Sequence, residues 1–288
     1  MATSMAAPAS ASQPAPLSTP GSAPDRRRPG SPPLAAVLAL AAVLLALAPV
    51  LLAPPARAVA NGVPAPAGTL GFAAKFVFTG IPRTDGSTYD SACSGALVAP
   101  EWVVTAGHCF HDAARTPVSG PPPYASSTVI VGATTDTDPA AQVRTVVDVR
   151  QAPNGADVAL ARLSEPVQTV RPLALPSRAP RAGQVLGLAG WGATTSVDPT
   201  PSSQLMTGLV EVGTVADQTI GVSGYAPAPD TSACPYDSGA PYFRVSRGQL
   251  VLVAVESGGP PCPHTDEDTA YRADVLAPWI REQLAAPR

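Results

Sequence analysis

Histidine, aromatic residues and charge are all scarce in this 288-residue chain, which has three His, 5% aromatic and 14% charged side chains. The shortage of histidine bears most on chemistry, because an imidazole general base has to be His108, His111 or His264. No Lys/Arg cluster lies beyond Ala58, since Arg26, Arg27, Arg28 and Arg57 all precede it. The remainder is therefore more acidic than the whole chain, whose net charge is −3. That balance excludes nucleic acid as a partner and offers no patch for an anionic surface. There is no internal repeat and no alternation of strands with helices, which excludes a parallel βαβ fold. Cys and His are not spaced for zinc. The acidic run Asp266-Glu267-Asp268 lacks the regular spacing of a calcium loop and reads as a solvated segment, so no metal and no cofactor is expected.

The N-terminal region has a different character. Residues 1–33 are rich in Ala, Ser and Pro, the apolar run Leu34 to Ala53 is broken only at Pro49, and Ala56-Arg57-Ala58 follows. A basic segment, an apolar segment and small residues two apart are the layout of a secretory signal peptide, which assigns residues 1–58 to export. The other reading is a membrane anchor formed by residues 34–53. All four cysteines, Cys93, Cys109, Cys234 and Cys262, lie in the exported part and argue for two disulfides, with three pairings open from spacing alone.

Beyond Ala58 the chain reads as short strands separated by Pro- and Gly-containing turns. Strands are expected at Ala73 to Phe78, Cys93 to Val98, Trp102 to Ala106, Ser127 to Gly132, Val143 to Val149 and Asp157 to Leu163. A proline-rich stretch without strand periodicity, Glu165 to Gly183, divides these from a second group at Val185 to Gly192, Gln204 to Val212, Tyr242 to Val245 and Leu250 to Val255. One helix is expected, Asp274 to Ala285. The fold class is all-β.

Three phrases carry chemistry: Thr105-Ala106-Gly107-His108-Cys109, Asp157-Val158-Ala159-Leu160 and Cys234-Pro235-Tyr236-Asp237-Ser238-Gly239. A serine hydroxyl needs a base within hydrogen-bond reach and a group that orients the base. In these phrases the chain resembles the chymotrypsin-like (trypsin-fold) serine peptidases, whose triad runs His, Asp, Ser. The order differs from those of α/β-hydrolases and subtilisins, and Ser238 does not lie in a G-x-S-x-G elbow.

The resemblance implies two antiparallel six-stranded β-barrels, over about 59–165 and 184–273, with a crossing segment at 166–183 and a C-terminal helix at 274–285. It implies His108 as base, Asp157 as its orienting group and Ser238 as nucleophile in a secreted endopeptidase that forms an acyl-enzyme. The N–H groups of Tyr236 and Ser238 would hold the oxyanion. Val59, freed by cleavage after Ala58, would pair with Asp237. Cys93 would bridge to Cys109 and Cys234 to Cys262. Ser232, Ser257, Gly258 and Gly259 would form the substrate pocket, with Ser232 at its floor. An apolar or aromatic side chain is then favoured there, while Asp268 is placed where it can reach the same pocket. Protein or peptide substrates and a monomer are expected.

Three positions depart from the family pattern. Tyr236 and Ala240 stand where glycine is usual, and Gly258 stands where tryptophan is. These departures keep two alternatives open, a silent homologue that binds proteins through the same cleft and an esterase using the same triad. His111 and His264 are expected on solvent-facing loops.

Overall fold

The computed structural model describes residues 58–286, so the signal or anchor reading of the preceding segment lies outside the described residues. The first barrel is built from β2 (Ala73–Pro82), β3 (Thr88–Ala99), β4 (Trp102–Thr105), β5 (Ser126–Val131), β6 (Gln142–Gln151) and β7 (Ala159–Leu163). These close in the order β2-β3-β4-β7-β6-β5, each neighbour antiparallel. The second contains β8 (Val185–Gly190), β9 (Met206–Val215), β10 (Thr219–Ala226), β11 (Pro241–Ser246), β12 (Gln249–Gly258) and β13 (Asp268–Arg272). Its order is β9-β10-β13-β12-β11-β8, and pairing of β8 with β9 closes it. A two-residue strand, β1 (Val63–Pro64), adds to β9, and helix α1 (Ala273–Ala285) ends the chain. The architecture is all-β, two six-stranded antiparallel barrels with a C-terminal helix.

Side-chain pattern accounts for the closure. Along β9, Met206, Gly208, Val210 and Val212 face inward while Leu209 and Gly213 are exposed, the period-two alternation of a strand with one wet face. β4 instead buries all four of its residues, because it runs between β3 and β7 with the second barrel nearby.

The structure extends the strands beyond the sequence expectation. β2 and β3 continue through the polar segment before Asp90, pairing as far as Pro82 with Thr88. β10 and β13 are additional strands, with registers that include Ile220 opposite Ala270. Both are short and rich in small or polar residues, so their hydrophobic alternation is weak.

Scarce aromatics are concentrated where they matter. Phe76 and Phe78 on β2 meet Phe110, which follows the His108 turn, at ring distances of 5.8 and 5.2 Å, and Tyr124 stacks beside it at 6.2 Å. Phe110 is fully buried. The two barrels are strapped together by the crossing segment: Leu173 donates to Leu97 of β3, and Ala174 exchanges hydrogen bonds with Leu250 and Leu252 of β12. The only lysine in the chain, Lys75 of β2, is buried between the lobes. Its ammonium meets Asp136 at 2.7 Å and the Ser202 carbonyl at 2.7 Å and lies over the Trp191 ring.

Removing the Phe110 ring should leave a cavity directly behind the His108 turn. Phe110→Ala is expected to lower stability by about 3–5 kcal/mol, read by denaturant unfolding.

Candidate active site

His108 leaves the end of β4 on a single 3-10 turn, Gly107–Cys109. Three restraints hold that turn. The Cys93–Cys109 disulfide ties it to β3. The amide of Gln151 donates to the carbonyls of Gly107, Val118 and Phe110 at 3.0, 3.1 and 3.3 Å, gathering the loop around β6. The Asp157 carboxylate accepts the His108 backbone N–H at 2.7 Å.

The same carboxylate fixes the imidazole. Asp157 Oδ2 lies 2.7 Å from His108 Nδ1 and accepts the Ser257 hydroxyl at 2.6 Å. Burial opposes its charge, but the hydrogen bond and charge of His108 and the Ser257 hydroxyl outweigh it, so the carboxyl stays below its ordinary range. On the other side of the ring, His108 Nε2 is 2.8 Å from Ser238 Oγ. With Nδ1–H donated to Asp157, Nε2 is left free to accept from the serine.

Ser238 sits between two turns. Asp237 N–H donates to Cys234 O at 2.9 Å, closing a turn with Pro235 and Tyr236 at its centre. Proline at the first central position and φ of +74° at Tyr236 give the type II form. A tyrosine in that left-handed region costs about 1–2 kcal/mol. Its ring packs against the cluster containing Cys234 and Cys262, and its hydroxyl donates to Pro199 O at 3.3 Å. The second turn has Ala240 N–H donating to Asp237 O, with Gly239 at φ +86°. A side chain on Gly239 would run into Ser94 and Thr105.

Ser94 of β3 locks these turns to the first barrel. Its N–H donates to Ser238 O at 2.9 Å, its hydroxyl donates to Tyr236 O at 3.1 Å and accepts from Trp191 N–H at 2.9 Å, and Thr105 donates to its carbonyl at 2.7 Å. Neither Tyr236 N–H nor Ser238 N–H donates to an acceptor among the described residues.

Asp237 is completely buried. Its carboxylate accepts Gly192 N–H at 2.8 Å, Cys234 N–H at 3.1 Å and the Val59 N–H. Burial, with repulsion from Asp268, still pushes its carboxyl up to about 7. Val59 is buried in the second barrel's core, and Ala60 exchanges backbone hydrogen bonds with Ser232.

A pocket of about 300 Å³ opens beside Ser238, lined among others by Gly258, Gly259, Glu256 and Asp268. Ser232 and Ser257 lie off this lining. Ser232 Oγ accepts the His264 N–H, and Ser257 serves Asp157. Cys234, which lines the pocket, is bonded to Cys262.

Two histidines are not the solvent-facing residues expected. His111 is buried, with its ring bonded to the Asp112 carbonyl and facing the Tyr89 hydroxyl. The His264 ring is 8% exposed and meets Asp268 at 3.1 Å. Nor does the acidic run share one environment: Glu267 accepts Thr214 N–H at 2.9 Å, while Asp268 turns inward. The supporting roles of Ser94 and Gln151 carry no sequence signal, because both act through backbone groups brought near by folding.

Residues 60–280 match the family model described as Trypsin. The chain is 28% identical over 254 residues to mouse (Mus musculus) serine protease 56, covering 79% of this chain and 39% of that protein. It is 27% identical over 222 residues to mouse transmembrane protease serine 7, covering 69% and 26%. It thus spans well under half the length of these curated relatives. Its fold is similar to that of neuropsin, a serine protease expressed in the limbic system of mouse brain, with a TM-score of 0.62 at 20% identity over 78% of this chain and 100% of that one.

In a chain still continuous before Val59, the raised Asp237 carboxyl gives a pH signature. Because the folded value exceeds the unfolded one, its contribution is complete below about pH 4 and is lost as pH rises toward about 7. The uncleaved protein should lose stability across that window. Asp237→Asn should flatten the slope in pH-dependent denaturant unfolding.

Proposed function

The chain belongs to the trypsin family of serine proteases, and on that footing we propose that it is a secreted serine endopeptidase using Ser238, His108 and Asp157. The observation that carries this reading is the unbroken line of contacts from Ser238 Oγ to His108 Nε2 at 2.8 Å and from Nδ1 to Asp157 at 2.7 Å. As Ser238 Oγ attacks a peptide carbonyl, its proton passes to Nε2. The imidazolium is stabilised by Asp157, and the proton then goes to the leaving amine. Water, deprotonated by the same nitrogen, attacks the acyl-enzyme and returns Ser238.

The oxyanion of each tetrahedral intermediate is assigned to the N–H groups of Tyr236 and Ser238. Their lack of described acceptors leaves both donors available. The left-handed conformation at Tyr236 supplies what a glycine would adopt without strain. Losing one such donor typically slows acyl transfer by about a hundredfold to a thousandfold.

Val59 is assigned as the N-terminus that signal cleavage after Ala58 creates. An α-amine with an ordinary pKa near about 8 would bring a positive charge to a carboxylate now held only by neutral donors. Activation would then accompany export.

A fluorophosphonate probe tests the reading on secreted protein. Labelling is expected in the wild type and absent in Ser238→Ala, and Asp157→Asn should slow peptide cleavage by about ten-thousandfold. Correctly processed protein that takes no label would instead support a protein-binding homologue. Label with ester turnover but no peptide cleavage would support an esterase.

A further inference from the structure

Two separate pockets reach Ser238, and they share no other lining residue. The first is the one that holds Gly258 and Gly259. The second, of about 200 Å³, is lined among others by His108, Cys109, Phe78, Tyr89, His111 and Arg115. In the proposed reaction His108 delivers its proton to the leaving amine, so this second pocket faces the leaving segment of a substrate. No carboxylate lines it, and Arg115 carries its one permanent positive charge.

The Arg115 head group is held in place. A tight turn presents it: Arg115 N–H donates to Asp112 O at 3.0 Å, Asp112 N–H donates to Thr116 O at 2.9 Å, and the Asp112 carboxylate accepts the N–H groups of Ala114 and Thr116, both at 2.9 Å. The buried His111 ring then fixes the guanidinium. With Nδ1–H donated to Asp112 O at 2.7 Å, Nε2 is left as an acceptor, and Arg115 Nη1 donates to it at 3.2 Å. The guanidinium also lies 5.3 Å from the centre of the Tyr89 ring, whose hydroxyl reaches the same His111 nitrogen at 3.2 Å. Arg83 lies against that ring as well, at 4.6 Å. Neither arginine forms an ion pair among the described residues.

We infer that this pocket receives an acidic side chain, Glu or Asp, on the first residue of the leaving segment, with Arg115 as its anion receptor and His111 as the positioning residue behind it. The role in cleavage rests on the peptidase reading. The pocket is small, so a side chain that runs from a residue at Ser238 to Arg115 has to be short. A carboxylate accepts the remaining guanidinium N–H groups and offsets the charge. A guanidinium already fixed by an imidazole acceptor and an aromatic ring loses little freedom on pairing. A Lys or Arg at the same place would face the like charges of Arg115 and Arg83, so the arrangement also selects against basic residues. Arg115 is exposed, and screening by water keeps the preference to a modest factor.

The tetrapeptide amides Glu-Leu-Ala-Ala and Gln-Leu-Ala-Ala carry a free amine in place of the leaving amine. Titrated calorimetrically into the full chain carrying Ser238→Ala, they read the pocket without requiring turnover. The Glu peptide should bind about three- to tenfold more tightly, a preference that shrinks as salt is raised. Arg115→Gln should bring the ratio below about twofold, while Arg115→Lys, which keeps the charge without the fork, should retain part of it. His111→Gln keeps an acceptor behind the guanidinium and should preserve the ratio, whereas His111→Leu should lose it; an unchanged thermal transition checks the fold of each variant. Equal affinity for the two peptides, binding of neither, or a preference that survives Arg115→Gln overturns the inference, and a preference unchanged in His111→Leu overturns the positioning role. Fluorophosphonate labelling of the wild type reads the peptidase assignment separately, so absence of labelling with the Glu preference intact would remove hydrolysis and leave the pocket chemistry standing.

Discussion

The carboxylate of Asp237 has no solvent to turn to, and the arrangement around Ser238 depends on how it is accommodated. It lies one residue before Ser238, fully buried, and is held by N–H groups from Gly192, Cys234 and Val59. Those three donors come from separate stretches of chain. Neutral donors only partly offset the desolvation of a charge, which is why the carboxyl remains raised. The turn that sets the backbone at Tyr236 and Ser238 is therefore coupled to the start of the domain through one buried charge.

The barrels supply the rest of the geometry by rigidity. His108 and Asp157 come from the first barrel, while Ser238 and Ser257 come from the second. Ser94 joins the halves: its N–H donates to Ser238 O, and its hydroxyl donates to Tyr236 O and accepts the Trp191 N–H. A base has to be held to within about half an ångström of its working position. A disulfide, the Gln151 amide and a buried aromatic cluster achieve that from three directions.

Much of this was legible in the residues. The chain's all-β character followed from short apolar strands between Pro and Gly, and the phrases around His108, Asp157 and Ser238 pointed to residues that the fold brings together. Strands β10 and β13 were not legible, because Gly, Ser and acidic residues obscure their alternation and pairing partners complete them. Glu256 in the pocket lining was not legible for a related reason: it reaches the pocket through a register that only the closed barrel sets, while Ser232, in the expected phrase, accepts the His264 N–H. His111 and His264 likewise owe their burial to partners distant in sequence or to loop folding.

In the proposed function, chemistry, fold and processing meet at the contact between Val59 and Asp237. Its direct test compares fluorophosphonate labelling rates at neutral pH for chains that begin at Val59 and chains that retain Ala58. The account predicts labelling at least about tenfold faster when Val59 carries the free amine, since only then is the buried carboxylate opposed by a charge. Equal rates for the two forms would contradict it.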